Sequence, residues 1–283
     1  MNKISSLWRV GVLAAAVLGG SGGAYAATVF QEDFSAPIVF GDCQGGNRAD
    51  NPLDPATPRA LWREDSRTGK SKVGLDTISG GQLKISTDDI VGAGIVTKMD
   101  SRFDFLSPGQ KRKFIVKGVK ISGPNDDLAR KKFRFLIASR ECSGSLYPNF
   151  DMTVFAHGGF NVYVGKLSIT GRPEPHALID MDYSMPRAAD QIELTLDNTS
   201  YELSFVFNVP ANGPDATDPG YRPAYQGAFT FRGLHTMDAA AWGQTAGLPG
   251  YAASVGLFAT AGYAGDPATN VTVDSFTVTD GAP

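Results

Sequence analysis

The chain has 283 residues, with 26 Lys and Arg against 29 Asp and Glu, three His, and 42% hydrophobic side chains. A net charge of −3 excludes a general affinity for nucleic acid or for anionic membrane surfaces. One β-sandwich can take up this whole length, and a core of that size needs no covalent staple.

In chain order, Lys3 and Arg9 precede an apolar run at 10–18, a cluster of glycines at 19–23, and the small-x-small triplet Ala24-Tyr25-Ala26. These are the parts of a cleaved signal peptide over 1–26, with a single mature domain over 27–283. A retained signal anchor is the alternative, but the run falls short of the roughly 20 residues that a spanning helix needs, so no stable membrane insertion is expected. The protein is therefore expected to be exported, to the periplasm or beyond the cell. Losing the leader removes two basic residues and no acidic ones, leaving 24 bases against 29 acids. Both cysteines, Cys43 and Cys142, lie in the mature part. In an oxidising compartment they are expected to form a disulfide worth about 4–5 kcal/mol in the chain-entropy model; a catalytic thiol is the competing reading.

Helical periodicity is nearly absent beyond the leader. Runs rich in Val, Ile, Phe, Tyr and Thr, separated by Gly, Pro, Asn and Asp, predict strands at 28–34, 82–87, 94–98, 113–121, 132–139, 150–157, 160–169, 177–182, 191–196, 201–208, 228–234, 253–260 and 270–279. Only 236–242 reads as a short helix. In Tyr201-Glu202-Leu203-Ser204-Phe205-Val206-Phe207 the odd positions are large and apolar, as one buried sheet face requires. Gly158-Gly159 between two strands reads as a hairpin turn. Many antiparallel strands at this spacing predict an all-β, two-sheet antiparallel sandwich of jelly-roll type. Two long loops, 41–59 and 209–226, are the places where a sandwich could carry a binding surface, or plain surface excursions.

Basic residues concentrate in one stretch: from Lys111 to Arg140 stand ten Lys or Arg and only Asp126 and Asp127 as acids. Strands 113–121 and 132–139 read as one hairpin. Phe133, Phe135 and Ile137 would face the core, and Lys113, Lys117, Arg130, Lys132 and Arg134 the surface. Such a face could bind the carboxylates or sulfates of an acidic polysaccharide; an ordinary solvated face is the alternative. His157, Asn161 and Tyr163 surround the Gly158-Gly159 turn. With Arg134 they offer the residue types of a uronate β-elimination, which needs a neutralised carboxylate, a base and an acid. Trp62, Trp242, Tyr221 and Tyr225 could stack on sugar rings or simply pack, Trp242 reading more as a packing anchor. His176 and His235 stand apart, and no Cys/His spacing suggests zinc. No nucleophile elbow, phosphate loop or dinucleotide fingerprint occurs.

Phe30-Gln31-Glu32-Asp33-Phe34 near the start, Gly80-Gly81-Gln82-Leu83-Lys84-Ile85, and Val271-Thr272-Val273-Asp274-Ser275-Phe276-Thr277-Val278 near the end together resemble the concanavalin A-like lectin/glucanase superfamily, including laminin G-like jelly rolls. The resemblance implies first and last strands side by side in one sheet, and a sheet face that holds carbohydrate. It also implies a structural Ca²⁺ where those strands meet, at Asp33 and Asp274, with backbone carbonyls completing the oxygen shell. The chain departs from the glucanases of family 16, lacking their E-x-D-x-x-E strand; Asp180-Met181-Asp182 is the nearest carboxylate pair. It also departs from the alginate lyases of this fold, sharing in Phe160–Lys166 only a Tyr and a Lys with their Tyr-x-Lys-x-Gly-x-Tyr strand. The leading expectation is an exported protein that binds a polysaccharide, an anionic one, on a basic sheet face. A metal-independent polysaccharide lyase using His157, Tyr163 and Arg134 is the second, and a structural surface or matrix protein the third.

Overall fold

The computed structural model describes residues 26–35, 41–42, 62–66, 81–87, 92–122, 131–140, 148–155, 160–167, 173–181, 188–209, 216–217, 225–235, 237–261 and 268–281. Among them are the strands β1 (Thr28–Glu32), β2 (Gly41–Asp42), β3 (Trp62–Ser66), β4 (Leu83–Thr87), β5 (Ala93–Thr97), β6 (Arg112–Ser122), β7 (Lys132–Ala138) and β8 (Asn149–Phe155). They continue as β9 (Phe160–Leu167), β10 (Pro173–Met181), β11 (Ala188–Leu196), β12 (Ser200–Val209), β13 (Tyr225–Leu234), β14 (Ser254–Thr260), β15 (Thr269–Val273) and β16 (Ser275–Thr279). Among the described residues the α-helix is α1 (Ala239–Trp242), which starts at Asp238, whose carboxylate accepts the Ala240 N–H. No helix among the described residues is long and apolar enough to cross a membrane.

The strands form two sheets. The first runs β1-β16-β6-β11-β12-β13, with β15 joining β6 to β4; the second runs β10-β9-β8-β7-β14-β5-β3-β2. All pairings are antiparallel except β2 with β3. β1 lies beside β16, Phe30 opposite Val278, so the first and last strands are neighbours as the resemblance implies. The Asp280 N–H donates to the Ala27 carbonyl and the Ala27 N–H to Asp280 Oδ1, closing that seam.

Aromatic side chains join the sheets. Phe114 of β6 meets Phe135 of β7 at 6.3 Å between ring centres, Phe135 meets Phe276 of β16 at 6.2 Å, and Phe150 of β8 meets Tyr201 of β12 at 6.5 Å. Each comes from the apolar phase of an alternating strand, so two pleated sheets turn large rings toward each other and exclude water between them. Tyr201, Leu203 and Phe205 are buried as their alternation predicts.

The expected hairpin of 113–121 and 132–139 does not form. β6 pairs with β11, β15 and β16 in the first sheet, while β7 pairs with β8 and β14 in the second. β7 alternates in the expected phase, and β6 does so as far as Gly118, beyond which the phase shifts and Val119 and Ile121 are buried. The two strands face each other through the core, as Phe114 against Phe135 shows, and do not lie side by side. Their cations therefore sit on opposite outer faces of the molecule.

Smaller differences have local causes. β3 carries Arg63, Glu64 and Asp65 and so shows no apolar alternation in sequence. β10 begins at Pro173, before the predicted 177; of the second sheet it pairs only with β9, and an edge strand tolerates prolines that a central one would not. The last predicted strand, 270–279, is broken at Asp274. There Gly118 of β6 has a φ of +67°, and a Cβ on it would lie 2.0 Å from Asp274 Oδ2. Only glycine allows both that backbone conformation and that approach.

Candidate functional site

On the second sheet, β7 and β8 send Phe133, Phe135, Ile137, Phe150, Met152 and Val154 into the core. The other phase forms the outer face: Lys132, Arg134, Leu136 and Ala138 from β7, and Asn149, Asp151 and Thr153 from β8. Register sets Leu136 opposite Asp151 and Arg134 opposite Thr153 on one side and Phe258 of β14 on the other. A sheet face that points away from the core is ordinarily wet. Here Asn149, Asp151 and Thr153 are buried, each less than one-tenth exposed.

This face has an apolar half and a polar half. Val96, Leu136, Ala138 and Phe258 form a second hydrophobic cluster, separate from the main core. The Phe258 ring lies over Gly94 and Gly256, where an added Cβ would come within 2.6 and 2.2 Å of its ring carbons. In the polar half, Arg134 Nε donates to Asp151 Oδ1 at 3.3 Å, and its Nη2 donates to Asp151 Oδ2. The two side chains retain only 17% and 12% exposure. Lys132 stands beside them. Burial holds its pKa below the ordinary lysine value, repulsion from Arg134 adds to this, and Asp151 acts in the opposite sense.

Register carries the polar half onto two more strands. Tyr163 of β9 is opposite Asp151 and Asn161 is opposite Thr153, while Ala177 and Asp180 of β10 follow on the far side. The backbone thus gathers Arg134, Asn161 and Tyr163, three residues singled out in the sequence, onto adjacent positions of three neighbouring strands. A planar guanidinium held by a carboxylate, with the buried Asn149 amide and Thr153 hydroxyl on the neighbouring strand, is an arrangement that can fix the orientation of a polyhydroxylated ligand by charge-assisted hydrogen bonds.

The other expected residues lie elsewhere. Lys113 and Lys117 are on the outer face of the first sheet, Lys113 with Glu193 at 3.4 Å and Lys117 exposed. Tyr225 opens β13 opposite Val209. Asp33 Oδ1 accepts the Ser35 N–H at 3.0 Å and its hydroxyl at 2.6 Å, and Asp274 Oδ1 accepts from Gln82 Nε2 at 2.6 Å. Among the described residues no group of three or more His, Cys, Asp or Glu is placed to hold a metal ion. Trp62 and Trp242 are buried in the core and are not surface platforms; Trp242 Nε1 donates to the Ala252 carbonyl at 2.9 Å, as a packing anchor does. The signal peptide up to residue 25, Arg130, His157, Tyr221, Cys43 and Cys142 lie outside the described residues. Asp151 and Asn149 were not singled out by sequence. The signal available for them was the alternation of Asn149-Phe150-Asp151-Met152-Thr153-Val154, which marks a two-faced strand without saying that its polar face is recessed.

No protein-family model matches the sequence, and no curated protein matches it. Solved structures similar to the chain include an endo-1,3-β-glucanase from Streptomyces sioyaensis, at 16% identity over 91% of this chain and 97% of that one, with a TM-score of 0.45. Lectin II from Ulex europaeus is similar at 10% identity over 89% and 99% of the two chains, with a TM-score of 0.46. A non-specific endo-β-1,3(4)-glucanase of family GH16 is similar at 11% identity over 90% and 91%, also with a TM-score of 0.46. The two sheets of antiparallel strands, with the first strand beside the last, make this chain a two-sheet β-sandwich.

Proposed function

We propose that this chain is an exported glycan-binding protein whose second sheet engages a polysaccharide through the polar half of its outer face. The observation that carries the reading is the little-exposed Arg134–Asp151 pair, with Asn149, Thr153 and Lys132 around it, on the outer face of β7 and β8. Isolated ion pairs contribute little to stability. A pair held this way, among further polar groups, is the kind of arrangement that recognition requires. Among the described residues the cations of β6 and β7 lie on opposite outer faces, so any preference of this face for an anionic glycan falls to Lys132 and Arg134. A Cys43–Cys142 disulfide and a Ca²⁺ near Asp33 and Asp274 belong to the same proposal.

A lyase is the second reading, and the register neighbourhood of Arg134, Asp151, Asn161 and Tyr163 favours it. Incubating the protein lacking residues 1–26 with acidic and neutral polysaccharides separates the readings. Retention on a glycan column, lost in Arg134→Gln, supports the binder. Ultraviolet absorbance of an unsaturated uronate that grows with time and disappears in Tyr163→Phe makes it a lyase. Neither signal refutes both and leaves a structural surface protein.

A further inference from the structure

A second recess lies at one end of the first sheet, on the opposite side of the sandwich from the Arg134 face. It has a volume of about 190 Å³ and is lined by Lys111, Thr195, Asp197, Ser200, Tyr201, Glu202, Arg232 and Gly233. At roughly 30 Å³ per water in the liquid, it has room for about one sugar ring. Two cations and two anions line it, but the anions are already engaged. Asp197 Oδ1 accepts the N–H groups of Thr199 and Ser200 at 2.9 and 2.6 Å and the Thr199 hydroxyl at 3.3 Å; Oδ2 accepts the Ser200 hydroxyl at 2.5 Å. These donors hold Asp197 ionised, its pKa below the ordinary value although burial opposes this. Glu202 Oε2 accepts from Arg232 Nε at 2.6 Å.

The donors are not engaged in the same way. Among the described residues, the Lys111 ammonium and the terminal nitrogens of Arg232 have no acceptor. Tyr201 is 8% exposed, with its ring and hydroxyl packed flat against Gly233, where an added Cβ would lie 2.8 Å from the hydroxyl oxygen. Its hydroxyl has no protein partner among the described residues. Thr195, buried and opposite Glu202, lines the same recess. The recess therefore has carboxylates already bonded within the chain, and donors, two of them cationic and open to solvent, that have terminal groups with no acceptor among the described residues.

We propose that this recess binds a hydroxylated monocarboxylate of about one sugar ring, such as a uronic acid. Lys111 and Arg232 take the carboxylate, and Tyr201 and Thr195 take ring hydroxyls. Two cations that line a small recess whose carboxylates are already bonded favour an anion, and charge-assisted bonds are the strong ones. The site is distinct from the Arg134 face and does not depend on the reading of that face.

The test is calorimetric titration of the whole mature protein with sodium glucuronate, with glucose as the uncharged comparison. Glucuronate should bind and glucose should bind at least tenfold more weakly. Lys111→Met and Tyr201→Phe should each weaken glucuronate about tenfold, and raised salt should weaken it further, whereas Arg134→Gln should leave it unchanged. No glucuronate binding, equal binding of glucose, or insensitivity to Lys111→Met overturns the proposal. Loss of binding in Arg134→Gln also overturns it, by locating the sugar on the other face. Tyr201→Phe keeps the buried ring, and thermal melting of each variant separates misfolding from loss of the site.

Discussion

Replacing Asp151 with alanine would remove the carboxylate that accepts from Arg134 Nε and Nη2. Breaking a buried pair from one side costs about 3–5 kcal/mol. Arg134 and Asp151 keep 17% and 12% exposure, so water can reach the site, and we expect a smaller loss of roughly 2–3 kcal/mol. For a domain of this size that lowers Tm by about 4–12 °C. Urea unfolding followed by tryptophan fluorescence reads it directly, because Trp62 and Trp242 are both buried. The double variant Arg134→Met/Asp151→Leu removes both charges and fills the space. It should return to within about 1 kcal/mol of the parent, since apolar replacements of buried pairs are often neutral, yet it should retain no polysaccharide. A loss below about 0.5 kcal/mol in Asp151→Ala would mean the pair is solvated and the recess is not a recess. Glycan retention by the double variant would refute the placement of the binding site.

Gly118→Ala should destabilise by at least about 2 kcal/mol, because it combines a positive φ with a contact against Asp274; adding Asp274→Ala should restore part of the urea midpoint, and full insensitivity would refute the argument. His235 is buried, its Nε2 faces the Asp197 carbonyl at 2.8 Å, and its Nδ1 accepts the Met237 N–H at 3.3 Å, which fixes a neutral ring. Burial lowers its pKa below 6.5, against the opposing pull of Asp197. The unfolded chain therefore takes up the proton first, and stability is lost as pH falls from about 6.5 through the folded value; His235→Gln should flatten the urea midpoint over that window. Trp242→Phe should cost about 1–3 kcal/mol, by leaving the Ala252 carbonyl unpaired and thinning the contact with Phe105, whose ring centre is 5.4 Å away; calorimetric melting measures it.

Much of the fold was legible because alternation states which face a residue takes. Phe133, Phe135 and Ile137 against Lys132 and Arg134, or Tyr201, Leu203 and Phe205, needed no more than period two. Alternation does not state which strand lies alongside, and here the reading failed: β6 and β7 carry the same pattern, and only long-range pairing decides that β7 joins β8 and β14. The candidate site was half legible for the same reason. Arg134, Asn161 and Tyr163 announced themselves by type, whereas Asp151 looked like any solvent-facing acid until β7 lay beside it. The Tyr201 recess had no signal in sequence, because Lys111, Asp197 and Arg232 meet only when the turn after β11 folds back beside β13.

The seam between β1 and β16 joins residues 244 to 251 positions apart, and the Ala27–Asp280 bond spans 253. β6, at the middle of the first sheet, takes β15 and β16 as neighbours, so that sheet lacks two of its strands until the last residues of the chain are in place. Pairings of such sequence separation pay the full entropy of closing the chain before any contact rewards it, which places this protein among slow folders. A truncation of a dozen C-terminal residues would expose the edges of β1 and β6 together, turning a local deletion into an aggregation hazard for the whole molecule.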